Sequence, residues 1–220
     1  MSSESANATA HDTGLLSDYS PASLLCLALV VVATITLHFM PDPGEMLRYQ
    51  RDTFQVDAWS PLLAGIGHML VHLNAQHALL NVVALLCIYL LFSEAFGSAW
   101  WLVALGTSGV VSLYGLYYYS PATSWCIGMS GALHGLFIYA VLRSRAHSLW
   151  LVAIIAKLVI EQQQWPILEP LLATSQRFIG YNVVVDAHLW GAAGGLLFYA
   201  VSRCIAALLV LREIASERQE

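Results

Sequence analysis

Apolar residues along this chain fall in long unbroken runs rather than in an amphipathic rhythm. No Asp, Glu, Lys or Arg occurs from Ala58 to Ser93, from Ala95 to Leu142, or from Ala187 to Ser202. A helix on a water-facing surface carries charge on its outer side every turn or two, and these runs carry none. An apolar stretch of ~18 or more residues reads instead as a membrane-crossing helix, because hydrocarbon offers no partner to a bare charge or an open backbone group. Six spans are predicted. They cover about Ser23–Met40, His77–Glu94, Trp100–Tyr118, Gly128–Leu142, Ser148–Ile160 and Ala187–Leu209. The start of span two is blurred by His68, His72, Asn74 and Gln76, and the polar stretch from Glu161 to Asp186 reads as a loop. Trp100-Trp101 and Tyr117-Tyr118-Tyr119 bracket span three at the headgroup level. The expected fold is an all-α polytopic membrane protein. A six-helix bundle occupies residues 23–210, a flexible polar tail 1–22, and a short charged tail 211–220.

Composition agrees and narrows the function classes. Of 220 residues, 58% are hydrophobic and 10% charged, against about 25% charged in an ordinary soluble domain. A soluble enzyme and a disordered chain are both excluded. With 9 Lys plus Arg against 14 Asp plus Glu and a net charge of −5, no basic face exists for nucleic acid. If the N-terminus lies inside, Arg143, Arg145, Arg203, Arg212 and Arg218 are cytoplasmic, and only Arg48, Arg51 and Arg177 are outside. That bias predicts two cytoplasmic termini. Spans two, four and six then begin at the outer face.

Polar groups inside spans are costly and become functional candidates. They are His68, His72, His77, Asn81, Ser130, His134, Lys157 and His188. Gly128-Met129-Ser130-Gly131 opens span four, Asp186-Ala187-His188 opens span six, and His77 and Asn81 lie four apart at the start of span two. All three sets share one depth near the outer surface. Acyl transfer by serine needs a hydroxyl, a base in hydrogen-bond reach, and donors for the developing oxyanion. Ser130 at a helix start can attack, and neutral His188 can take its proton. The Asn81 amide and the His77 ring can donate to the oxyanion. Gly128 and Gly131 permit a sharp chain entry. Gly191 and Gly195 form a small-residue face that lets span six approach another helix closely.

The Gly128-x-Ser130-Gly131 turn, His188 with Gly191 and Gly195, and the run His68, His72, His77, Asn81 together resemble the rhomboid intramembrane serine proteases. The resemblance covers about His68 to Leu209. It implies a Ser–His dyad without an acidic third member, with Ser130 as nucleophile and His188 as base. It also implies an oxyanion site of His77, Asn81 and the Ser130 backbone N–H, in a wet cavity open to the outer face. Four residues after the serine, many rhomboids carry a Tyr that stacks on the catalytic imidazole, and here His134 stands there. Gly128-Met-Ser-Gly-Ala-Leu-His-Gly135 with Asp186-Ala187-His188-Leu189-Trp190-Gly191 is similar to the rhombosortase branch. That branch implies membrane-anchored substrates with a C-terminal Gly-Gly motif, a span and a basic tail, and a bacterial inner-membrane location. It leaves open whether His134 packs on His188 or joins the proton transfer.

Other readings compete. Ser130 could simply pack, His188 could be a satisfied bundle histidine, and His77 and Asn81 could tie the first loop to the bundle. An inactive rhomboid-like protein that holds client helices is expected to lack Ser or His of the dyad. A small-solute transporter is expected to spread polar groups through the membrane depth. His68 and His72 could share a metal ion, but no Glu follows His68, so the His-Glu-x-x-His arrangement is absent. No metal or other cofactor is expected. Glu94 and Lys157 are expected to snorkel or pair near the inner ends of spans two and five. Cys26, Cys87 and Cys204 read as packing, while Cys126 could affect access to the serine.

Overall fold

In the computed structural model, residues 18–40, 43–54, 60–144, 147–163, 174 and 176–217 are described. Most of the N-terminal tail and the middle of the segment after span five lie outside them. Helix α1 (Pro21–Phe39) starts with Pro21 in its first turn and Ser20 as N-cap, whose hydroxyl accepts from the Ser23 N–H. Both choices satisfy a helix start, where proline loses no bond and the first donors need an acceptor. A five-residue helix, α2 (Pro43–Leu47), follows. Helices α3 (Ser60–Leu70) and α4 (Ala75–Leu91) meet at a bend of 104°. Asn74 caps α4 by accepting from the His77 N–H at 2.9 Å. Then come α5 (Trp100–Tyr119), α6 (Ser130–Arg143), α7 (His147–Gln163) and α8 (Val185–Glu217).

Among the described residues, the regular structure is helical apart from a two-residue antiparallel pairing that the sequence pattern does not announce. Strand β1 (Tyr49–Gln50) lies against β2 (Trp125–Cys126) with Tyr49 opposite Cys126. Arg51 pins the same segment by donating to the carbonyls of Leu116 and Tyr117 at 2.7–3.1 Å. Those carbonyls end α5, where an arginine both satisfies open acceptors and meets the negative end of the helix dipole.

Among the described residues, α1, α5 and α8 are long and apolar enough to cross a membrane, and the bent α3–α4 pair makes a fourth if counted as one span. Helices α6 and α7 have 14 and 17 residues. At 1.5 Å per residue they reach ~21 and ~26 Å, short of the ~30 Å hydrocarbon core. The outer surface is apolar, with Leu25, Val32, Leu79, Val83, Leu149 and Leu208 all exposed, as a lipid-facing surface requires. The sixth predicted span ends at Leu209, whereas α8 continues as helix to Glu217.

The middle of the bundle is α5 against α6 and α8, and glycine sets its spacing. A Cβ at Gly195 would stand 1.9 Å from the Gly135 carbonyl oxygen, and one at Gly191 would stand 1.9 Å from that of Gly131. In return, Gly135 has the Gly191 carbonyl oxygen within 2.2 Å of its absent Cβ. Helix α5 joins through Ser112, whose hydroxyl donates to the Ala187 carbonyl at 3.0 Å. Trp101 Nε1 donates to the Ser23 hydroxyl at 2.9 Å, and Ser23 shares a 2.8 Å bond with the Tyr89 hydroxyl, tying α1 to α4 and α5. Such bonds replace water where none is present.

Gly106, also in α5, has nothing within 4 Å of its absent Cβ and serves as a control. Helix propensity alone favours alanine over glycine by about 1 kcal/mol, while forcing a methyl into a packed contact costs about 1–3 kcal/mol or more. Gly195→Ala is expected to lower the thermal unfolding midpoint in detergent micelles, and Gly106→Ala to leave it unchanged or raise it. Equal midpoints for the two variants would remove the close α6–α8 contact.

Candidate active site

The serine is presented by a strained turn. Gly128 sits at φ 108°, in the left-handed region, and its absent Cβ would lie 2.4 Å from the His77 ring. Only glycine fits both constraints. The Gly128 N–H donates to the His68 carbonyl at 2.8 Å, so the end of α3 fixes the entry to α6. Ser130 is then the first residue of α6, half-buried, after Met129 at the N-cap. Its own N–H falls in the first turn, where helix donors have no internal acceptor.

His188 stands in the first turn of α8 and is buried. Its Nε2 lies 3.1 Å from Ser130 Oγ. The glycine contacts one and two turns further along, Gly131 with Gly191 and Gly135 with Gly195, bring the two helix starts together. His134, one turn after Ser130, stacks on His188 with ring centroids 4.0 Å apart and planes 14° apart. His134 therefore packs face to face on His188. Its Nδ1 meets the Ser130 carbonyl at 2.7 Å.

Two residues of α7 enter the cluster, against expectation. Glu161 Oε2 lies 3.0 Å from His188 Nδ1. Lys157 Nζ lies 2.9 Å from His134 Nε2 and is paired with Glu161 Oε1. Two expectations are corrected here. An acidic group does face the histidine that the family resemblance leaves without one, and Lys157, expected to snorkel or pair near the inner end of span five, pairs within the Ser130 cluster, with Glu161 and His134. Apolarity ends span five at Ile160 and so assigns Glu161 to a loop, but α7 runs to Gln163 and Glu161 is buried. The available signal was the Lys157-to-Glu161 spacing of four, which places opposite charges on one helical face.

The remaining candidates divide. His77 and Ser130 line one cavity of about 270 Å³, together with Leu73, Trp125, Tyr181 and Val184. Asn81 is buried and does not line that cavity; its amide donates to the His77 carbonyl at 3.0 Å. His68 and His72 are not brought to Ser130. His68 Nδ1 bonds the Ala64 carbonyl at 3.0 Å within its own helix, and His72 contacts the edge of His77. Among the described residues, one set could supply three ligands to a metal ion: His134, Glu161 and His188. The Lys157 ammonium already lies against two of the three, so a cation would have to displace it. Cys126 is buried beneath the serine turn, and burial pushes its thiol up to about 12, which leaves it a packed thiol rather than a competing nucleophile.

Residues 57–203 match the Rhomboid domain family. The chain belongs to the rhomboid family. It is also 28% identical over 134 residues to a Bacillus subtilis (strain 168) protein named "Putative rhomboid protease YdcA". The alignment takes in 60% of this chain and 63% of that protein's length. The matched rhomboid region contains every residue of the Ser130 cluster and leaves out α1 and the end of α8.

Proposed function

We propose that this rhomboid is an intramembrane serine endopeptidase that cleaves membrane-anchored proteins near the outer face, with Ser130 as nucleophile and His188 as general base. The observation that carries the reading is the 3.1 Å contact between Ser130 Oγ and His188 Nε2, within the reach that proton transfer needs. Oγ attacks the scissile carbonyl carbon while its proton passes to Nε2. The tetrahedral intermediate collapses, and Nε2 returns the proton to the departing amine. Water then attacks the acyl carbon and loses its proton to Nε2; as the bond to Oγ breaks and the acid leaves, Nε2 returns that proton to Ser130 Oγ.

For the oxyanion, the Ser130 N–H, His77 and Asn81 are the proposed donors. The His77 Nδ1 has no hydrogen-bond partner. One Asn81 N–H is used on the His77 carbonyl, and a primary amide keeps a second donor. Gly128, Gly131, His134, Gly191 and Gly195 shape this arrangement. Six crossings with both termini cytoplasmic are part of the proposal, α6 and α7 being the short ones. Because His134 replaces the stacking Tyr common among rhomboids, the chain is assigned to the rhombosortase branch, whose substrates end in a Gly-Gly motif, a span and a basic tail. The acyl-enzyme in that case can also pass to an amine other than water. Bacterial inner membrane is the proposed location.

A fluorophosphonate probe should label the purified protein in detergent. Labelling is expected to vanish in Ser130→Ala and to fall sharply in His188→Ala, while Asn81→Ala lowers the labelling rate about 10²-fold, as loss of one oxyanion donor typically does. Wild-type labelling of Ser130→Ala would remove the assignment, and absence of labelling in the wild-type protein would favour an inactive client-binding protein.

Topology and branch share a second test. An exported reporter carrying a Gly-Gly, span and basic tail is co-expressed in a Gram-negative host. Release of the reporter into the periplasm, absent with Ser130→Ala, is expected. A reporter that stays membrane-bound while the enzyme labels normally would return the chain to the general rhomboids.

A further inference from the structure

Resting on the serine-protease reading, we propose that Glu161 is a positioning residue for His188, which turns the expected Ser–His pair into a three-membered chain of Ser130, His188 and Glu161. An ionised carboxylate has only lone pairs to offer, and an ammonium has only protons. Glu161 Oε2 faces His188 Nδ1 at 3.0 Å, so Nδ1 carries the hydrogen and donates it. A neutral imidazole has one N–H, and Nε2 is therefore left bare. That bare nitrogen is the one 3.1 Å from Ser130 Oγ. The carboxylate thus selects the tautomer that can accept the serine proton, and faces the imidazolium that forms when it does.

The same logic fixes the second ring. Lys157 Nζ lies 2.9 Å from His134 Nε2 and can only donate to it. His134 Nε2 must accept, so His134 Nδ1 carries the hydrogen and donates to the Ser130 carbonyl at 2.7 Å. His134 is thereby held neutral beneath His188, and the stacked pair at 4.0 Å does not place two cations face to face when His188 is protonated. Lys157 also pairs with Glu161 Oε1. The carboxylate is consequently held at both oxygens, one by the ammonium and one by the imidazole. Lys157 and Glu161 balance in charge, and the new imidazolium balances the oxyanion, so the cluster stays neutral through the step.

Helix geometry explains why α7 can do this. Lys157 and Glu161 lie four apart on one face. That face is turned toward α6 and α8, where His134 and His188 stand.

The test is the kinetics of fluorophosphonate labelling in Glu161→Gln and Glu161→Asp, beside Ser130→Ala and His188→Ala. The isosteric Gln offers Nδ1 an N–H as readily as an oxygen, which favours the wrong tautomer. Its maximal labelling rate is expected to fall about 10³-fold, with the half-saturating probe concentration within about threefold of wild type. Loss of the corresponding orienting carboxylate in soluble serine proteases has an effect of about 10⁴-fold. Glu161→Asp keeps the charge one methylene short and is expected to recover about tenfold over Glu161→Gln while staying more than tenfold below wild type. A wild-type maximal rate in folded Glu161→Gln, with Ser130→Ala unlabelled and His188→Ala sharply slowed, overturns the positioning role and leaves the protease reading intact. Full labelling of Ser130→Ala overturns both. Should Glu161→Gln fail to fold, a Glu161→Asp maximal rate equal to wild type overturns the role, and a drop of tenfold or more at unchanged half-saturation sustains it.

Discussion

The site depends on how closely the backbones of α6 and α8 approach. Gly131 faces Gly191 and Gly135 faces Gly195, with carbonyl oxygens occupying the space where Cβ atoms would be. Lipid tails are as apolar as the helix surfaces, so hydrophobic burial gives no strong reason for helices to associate in a bilayer. Small residues supply the contact instead. Each helix begins near this crossing, and a first-turn residue from each, Ser130 and His188, is delivered to hydrogen-bond distance. Wider spacing would leave both side chains present but out of reach. The stacked His134 and the Ser112 bond to the Ala187 carbonyl also need this spacing.

Polar groups in such a setting are expensive unless every one is answered, because a half-satisfied buried network costs more than an apolar core. Here Glu161, Lys157, His134 and His188 answer one another, and Ser130 contributes its hydroxyl and carbonyl. The cluster is thus both a structural solution, in which each charge has a partner, and the proposed chemical device. On the other side of the serine, His77 closes over Gly128 at a position only glycine allows. That leaves room for a scissile peptide in the adjoining cavity of about 270 Å³.

Much of this was legible in the residues. Long charge-free runs imply membrane helices, and the recurrence of polar groups at the starts of alternate spans points to Ser130, His188, His77 and Asn81. Gly191 and Gly195 reveal their packing role through spacing alone. Glu161 was hidden because apolarity locates the end of a span by the first charge, whereas hydrogen bonding carries the helix on to Gln163. A charge answered by neighbours on other helices can stay inside a bundle, and the partners are distant in sequence. The pairing of Tyr49 with Cys126 and the 104° bend between α3 and α4 were hidden for the same reason. Asn81 shows the opposite limit: its spacing from His77 is right, but its amide is turned toward the His77 carbonyl, a rotamer that no pattern specifies.

The most direct measurement of the central claim is an experimental density map of the protein after reaction with diisopropyl fluorophosphonate. The account predicts continuous density from Ser130 Oγ to phosphorus, with His188 still between that oxygen and the Glu161 carboxylate, and with a phosphoryl oxygen turned toward His77 and the Ser130 N–H. Phosphorus attached to any other side chain, or a His188 ring turned away from both Ser130 and Glu161, would contradict it.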